Sequence, residues 1–149
     1  MPSNIVTKYA RMWPREVWDI LDNNSLVLRK MPELQESGVY ILYRDDVPHY
    51  IGKTKKALAK RLHDHSNKTS DKYFNFWNYF SFFVVPDPDH VDEIEGILIA
   101  SMTTANSAAP KIEQIRMPKP IPAVLRKARR KAAFELYGVS RTQSAFVIR

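Results

Sequence analysis

The 149-residue sequence contains no cysteine, which excludes disulfides, thiolate zinc sites and a cysteine nucleophile. That absence fits a reducing, cytoplasmic compartment. It also contains no run of about 18 apolar residues, so no transmembrane helix is expected. The first residues, MPSNIVTKYARMWP, lack the apolar centre of a secretory signal. No internal repeat and no low-complexity segment is visible. Acidic residues are scarce in one region. Residues 110–149 hold ten Lys and Arg against two Asp and Glu, whereas residues 1–109 hold thirteen against fourteen. The net charge of +7 therefore belongs to the C-terminal quarter. Such asymmetry suits a polyanion, because Lys and Arg release condensed counterions from nucleic acid. On charge alone, a solvated basic helix or an acidic lipid surface remains the alternative. The length is that of one domain, 1–149, with enough chain to bury a core.

The stretch that organises the rest is GVYILYRDDVPHYIGKTKKALAKRLHDH, residues 38–65. An aromatic-rich run over 38–44 and a short run over 49–53 flank the turn candidate Asp45-Asp46-Val47-Pro48, which predicts a hairpin. A helical pattern follows from about 54 to 66, with Thr54 as N-cap and Leu58, Leu62 and His65 at helical spacing. Tyr40 and Tyr50 can serve one site only if both point to the same face. A regular two-residue turn would pair Ile41 with Tyr50 and put Tyr40 on the other face. An odd-length connection or a bulge is therefore expected between Arg44 and His49.

Ahead of the hairpin, residues 15–23 suggest a short helix opened by Pro14 and ended near Asn23-Asn24. Residues 26–28 suggest a small strand, and Met31-Pro32 breaks the segment. This region reads as packing support. Further on, KYFNFWNYFSFFVVP places Phe80, Phe82 and Val84 on one face and Tyr79, Phe83 and Val85 on the other. Apolar groups on both faces imply a strand covered on both sides. Core packing is favoured over base stacking for these aromatics. Pro86 to Asp89 stops the strand, and Asp89 can cap a helix running to about Met102.

On that helix, Glu95 falls inside the apolar stripe of Val91, Ile94, Leu98, Ile99 and Met102, while Glu93 points away. A carboxylate on a core-facing stripe needs a partner or a metal. An ion pair with Arg61 or Lys53 is the structural alternative. Taken singly, Tyr40 and Tyr50 would be core aromatics, Arg61 a surface charge, His65 a half-buried imidazole and Asn106 a turn residue. Their joint order is what points to a site. Glu95 supplies a hard oxygen suited to Mg²⁺, and Arg61 offers a charged planar fork to phosphate. A tyrosine, with an ordinary pKa of about 10, accepts a proton near neutrality only in a cationic setting or beside a base. Lys53, Arg61 and His65 can provide one.

GVY followed by YIG, with Arg61 eleven residues after the second tyrosine, resembles the GIY-YIG nuclease signature. Glu95 and Asn106, in EGILIASMTTAN, match the family's later glutamate and asparagine, and His65 matches a histidine of some restriction-type members. The resemblance spans 38–106. It implies an α+β fold: a small, mostly antiparallel, three-stranded central sheet flanked by helices. Residues 1–37 would then be a helical packing extension, and 110–149 a basic extension. It also implies a DNA endonuclease using one Mg²⁺, or Mn²⁺ as a substitute, with in-line attack by water and 5′-phosphate and 3′-hydroxyl products. Tyr40 takes the place of the family's proposed general base, Tyr50 that of a positioning group, and Glu95 that of the metal ligand. His65 could relay the proton or orient a phosphate, and Asn106 ties the site together.

A compact nuclease, restriction-like or phage/mobile-element-associated, fits the length. The other reading is a non-catalytic nucleic-acid-binding module that kept the fold. Duplex or branched DNA is the expected partner, with no membrane and no small-molecule cofactor; the oligomeric state is open. The last helix, about 122–137 and stopped by Gly138, carries Leu125, Ala128, Ala132 and Leu136 as a docking stripe. Arg126, Lys127, Arg129, Arg130 and Lys131 are its expected DNA contacts, beside Lys53 and Arg61 at the site.

Overall fold

The computed structural model describes residues 4–106, 109, 110, 112–114 and 116–137. The chain forms two compact units, Met1–Ile112 and Glu113–Arg149. The second begins just ahead of MPKPIP, whose prolines remove backbone donors and fix φ.

In the first unit, strand β1 (Lys8–Pro14) leads into a 3-10 helix, Arg15–Asp19. The expected helix over 15–23 is therefore only one turn long. Its remainder is a miniature hairpin of β2 (Leu21–Asp22) and β3 (Ser25–Leu26). Asn23 and Asn24 both take positive φ, 49° and 62°, the backbone of a two-residue hairpin turn that asparagine tolerates well. The expected strand over 26–28 is thus shortened to its first residue, and Leu28–Lys30 is a 3-10 turn.

Next come β4 (Gly38–Arg44), β5 (Val47–Thr54), helix α1 (Leu58–Asn67), β6 (Tyr79–Val84) and helix α2 (Val91–Ser101). Among the described residues the sheet has four strands, not three, in the order β1-β6-β4-β5, and all its pairings are antiparallel. The extra strand is β1. Its sequence, KYARMWP, has no regular apolar alternation because Met12 sits at φ 51° where the register shifts between Ala10 and Trp13.

Strand β6 lies between β1 and β4, covered on both faces as its aromatic pattern predicts. One face packs Tyr40, Leu42, Phe80, Phe82 and Val84 with Leu58 and Leu62 of α1. The other packs Val39, Ile41, Ile51 and Val85 with Val91 and, half-buried, Ile94, Leu98 and Ile99 of α2. Each fully buried leucine, such as Leu58 and Leu62, contributes about 1.5–3 kcal/mol. Helix α1 starts four residues later than expected, because β5 extends to Thr54, whose hydroxyl accepts from Lys56 N–H (3.1 Å) in a turn rather than capping the helix. Ahead of α2, Asp87 rather than Asp89 caps, accepting from Asp89 N–H at 3.0 Å.

The second unit contains helix α3 (Pro120–Tyr137). Arg126, Lys127, Arg129, Arg130 and Lys131 are all exposed. So are Leu125 and Leu136 of the expected docking stripe, whereas Ala133 is buried. Gly138, expected to end the helix, lies outside the described residues.

Candidate active site

The hairpin of β4 and β5 brings the two tyrosines together. Its turn, Asp45-Asp46, joins Arg44 to Val47, and Tyr43 pairs with Pro48. Continued regularly, that register would oppose Ile41 to Tyr50. Instead the register shifts at His49, so Leu42 faces Tyr50 and Tyr40 faces Gly52. The expected bulge is present, and its extra residue is His49. Tyr40 and Tyr50 consequently share a face, with ring centroids 6.3 Å apart. The glycine of YIG has a steric reason here. A Cβ on Gly52 would run into the Tyr40 ring and hydroxyl, so the ring lies across bare backbone.

Helix α1 supplies the next two groups from one side, Arg61 and His65 at i and i+4. The Tyr40 hydroxyl lies 2.7 Å from His65 Nε2, and His65 Nδ1 lies 2.8 Å from Asp71 Oδ1. Asp71 also accepts from Tyr73 N–H at 2.9 Å. Burial pushes the His65 pKa down against the opposing pull of Asp71, so the ring is neutral at pH 7. Burial also opposes ionisation of Asp71, but the His65 and Tyr73 hydrogen bonds outweigh it and hold its pKa below the usual value. An ionised Asp71 can only accept, so Nδ1 carries the proton and donates to it. Nε2 is left with its lone pair, and the Tyr40 hydroxyl donates to it. The result is a directed chain, Tyr40 to His65 to Asp71.

Burial, with Tyr50 as the next largest influence, raises the Tyr40 pKa, and Arg61 opposes both. Tyr50 is likewise raised, by burial first and then by Tyr73, again opposed by Arg61; Glu95 adds to the rise. Arg61, whose pKa is raised chiefly by the Tyr40 hydroxyl, is therefore the cation shared by both tyrosines. Tyr40 is fully enclosed while Tyr50 is half-buried. The tyrosine at the solvent boundary is thus Tyr50.

Glu95 arrives from α2. It is half-buried, and Glu93 is exposed, as their helical angles predict. Its Oε1 lies 3.2 Å from Lys53 Nζ, which also contacts Asp92 Oδ1 at 2.6 Å. Burial opposes the Lys53 charge, and these two carboxylates outweigh it, leaving its pKa raised. Lys53 thus serves the carboxylates, and the cationic setting of the tyrosines comes from Arg61. Among the described residues no group of three His, Asp or Glu side chains is gathered for a metal. A single half-buried carboxylate nevertheless fits Mg²⁺, which keeps most of its waters and takes few protein ligands. Asn106 Oδ1 accepts from Ile51 N–H at 2.9 Å, and its Nδ2 donates to Ile51 C=O at 2.7 Å. It anchors the segment after α2 to β5, next to Tyr50.

Sequence reasoning missed Asp71 and Asp92. Asp92 was findable, since it stands three residues before Glu95 on the same face of α2. Asp71 lies six residues after His65 and beyond the end of α1, a separation with no helical meaning, so only the returning loop reveals it.

Residues 36–106 match the model of the GIY-YIG catalytic domain. The N-terminal GIY-YIG endonuclease domain of UvrC from Thermotoga maritima, bound to magnesium as its catalytic divalent cation, is 33% identical. That match covers 45% of this chain and 78% of that one, with a TM-score of 0.40. A tyrosine-to-phenylalanine point mutant of the same domain, bound to the divalent cation, is 31% identical over 45% and 77% of the two chains, also with a TM-score of 0.40. No curated protein matches the sequence. The family match covers the hairpin, α1, β6 and α2 through Asn106, and with the sequence identity over most of the UvrC domain it settles kinship: this chain belongs to the GIY-YIG family of nucleases.

Proposed function

We propose that the protein is a divalent-metal-dependent DNA endonuclease that hydrolyses phosphodiester bonds by in-line attack of water. The observation that carries this reading is the hydrogen-bonded chain from Tyr40 through His65 to Asp71, set beside Tyr50 and Arg61. Tyr50, at the solvent boundary, meets the water and the phosphate. Its own pKa is raised, so the proton it helps remove needs a sink. Neutral His65, with its lone pair on the Tyr40 hydroxyl and Asp71 behind it, is that sink, reached by way of Tyr40, which passes its own proton to His65 as it takes one up. Arg61 neutralises charge developing on the phosphate oxygens and favours a transient phenolate. Glu95 would hold Mg²⁺, with Mn²⁺ as a substitute, and the ion when bound polarises the phosphate and stabilises the departing oxygen. Asn106 keeps β5, and with it Tyr50, in place.

Incubation with supercoiled, linear and branched DNA, in Mg²⁺ or EDTA, tests the reading against Glu95→Ala. Cleavage by the wild type alone, and only with metal, is expected; intact DNA of all three kinds in Mg²⁺ would overturn it. The proposed context is restriction-like or phage/mobile-element-associated.

The five exposed cations of α3 support duplex DNA as the substrate. Such cations position a duplex and do not read its sequence. Neutralising Arg126, Lys127, Arg129 and Arg130 together should weaken binding to all sequences alike. The slope of log K against log salt should flatten by about 0.9 for each phosphate left without its cation, while the rate at saturating DNA changes much less. Titrations at several salt concentrations check this; an unchanged slope would remove α3 from the DNA interface.

A further inference from the structure

An aromatic series leads from the site to the surface, and none of the roles above uses its outer half. Tyr73 stacks on Tyr50 with centroids 4.2 Å apart and planes 24° apart. His49, the bulged residue of β5, stands edge-on to Tyr73 at 6.1 Å. Phe76 then stacks on His49 at 4.2 Å and 17°. The loop before β6 holds three large aromatics in FNFW, and two are accounted for. Trp77 is buried, and Phe74 lies under the Arg15 guanidinium at 5.0 Å. Phe76 remains 54% exposed. A core-forming role does not need that ring at the surface, since the loop is already held by Tyr73, Trp77 and Asp71. Lys72, exposed on the same loop, places its Nζ 5.4 Å from the Tyr73 ring centre, a cation suited to a phosphate beside a stacked base.

Resting on the nuclease reading above, we infer that Phe76 and His49 form a stacking site for an unpaired nucleobase. The preferred substrate then carries an unstacked nucleotide next to the scissile phosphate: a bulge, a flap or a single-stranded junction. A base inside a perfect duplex is already stacked on both sides and cannot use the Phe76 face. The pairing of two flat rings offers a π-face to any base, so the preference is for structure, not for sequence.

The test is equilibrium binding of the full chain in EDTA, which prevents cleavage. Three 2-aminopurine-labelled DNAs are compared: a perfect duplex, the same duplex with one bulged nucleotide, and a single strand. The wild type should bind the bulged duplex and the single strand more tightly than the perfect duplex, and should quench 2-aminopurine at the unpaired position. Phe76→Ala should lose about 5- to 150-fold in affinity for those two, the range that one stacked base supplies, with little change for the perfect duplex. Phe76→Trp should retain binding and quenching. An equal loss on all three DNAs, or no loss on any, would overturn the stacking site while leaving the nuclease reading intact. Failure of the wild type to bind any of them would overturn both.

Discussion

Glu95→Gln should abolish cleavage while leaving DNA binding largely intact. The change removes a ligand charge with almost no change in volume, and the charge stabilisation at stake, several kcal/mol, corresponds to about a thousandfold or more in rate. Glu93→Gln, two residues away and exposed, should cleave like the wild type. The pair is informative because the two residues share chemistry and differ only in helical angle. Single-turnover cleavage with parallel binding titrations distinguishes them. Loss of activity in the Glu93 variant alone would invert both the helix phase and the ligand assignment. Lys53 complicates Glu95→Gln in one respect: the variant leaves its ammonium on Asp92 alone, 2.6 Å away, an ion pair that can persist. A folding defect is therefore not expected.

Asp71→Asn should lower the cleavage rate by about 10²- to 10⁴-fold with little effect on DNA affinity, because it attacks the tautomer of His65. An asparagine can donate as well as accept, so Nδ1 need no longer carry the proton, and Nε2 can then turn a proton instead of a lone pair toward Tyr40. The pH profile carries the sign. His65 works as an acceptor only when neutral, so the wild-type rate falls as pH drops through a His65 pKa that burial places below the usual 6.5. Asp71 is the group that raises this pKa through its hydrogen bond and charge. Without it, the acid limb of the residual activity should move to lower pH. A merely structural role for Asp71 would reduce activity with no such shift.

Much of this was legible in the chain because it rests on local periodicity. The 38–54 hairpin, α1, β6 and α2 follow from alternation and helical spacing. Glu95 was separable from Glu93 by angle alone, and the bulge followed from the parity needed to bring Tyr40 and Tyr50 onto one face. What escaped rests on groups distant in sequence. β1 was hidden because Met12 breaks its alternation, and Val17, Ile20 and Leu21 sit at a helical spacing that mimics a helix over 15–23. Ile20 and Leu21 are in fact largely exposed, Leu21 as the first residue of β2, in a hairpin whose asparagine pair stands where a helix end was expected. At the site, residue types and order gave the members but not their burial. No local rule states that the loop after α1 returns Asp71 to His65 and leaves Tyr50, not Tyr40, at the boundary.

Strand β5 is one of the two outer strands of the sheet, opposite β1, and an outer strand presents unpaired N–H and C=O groups to any passing strand. The Asn106 amide occupies both groups of Ile51 with the donor and acceptor pattern of a neighbouring residue, and Ala105 N–H takes the His49 carbonyl at 2.8 Å. The segment just beyond α2 thereby imitates a fifth strand at the midpoint of the edge. An apolar, aromatic hairpin edge is a template for intermolecular sheet growth, and this polar segment takes up the backbone groups that growth along β5 would use first.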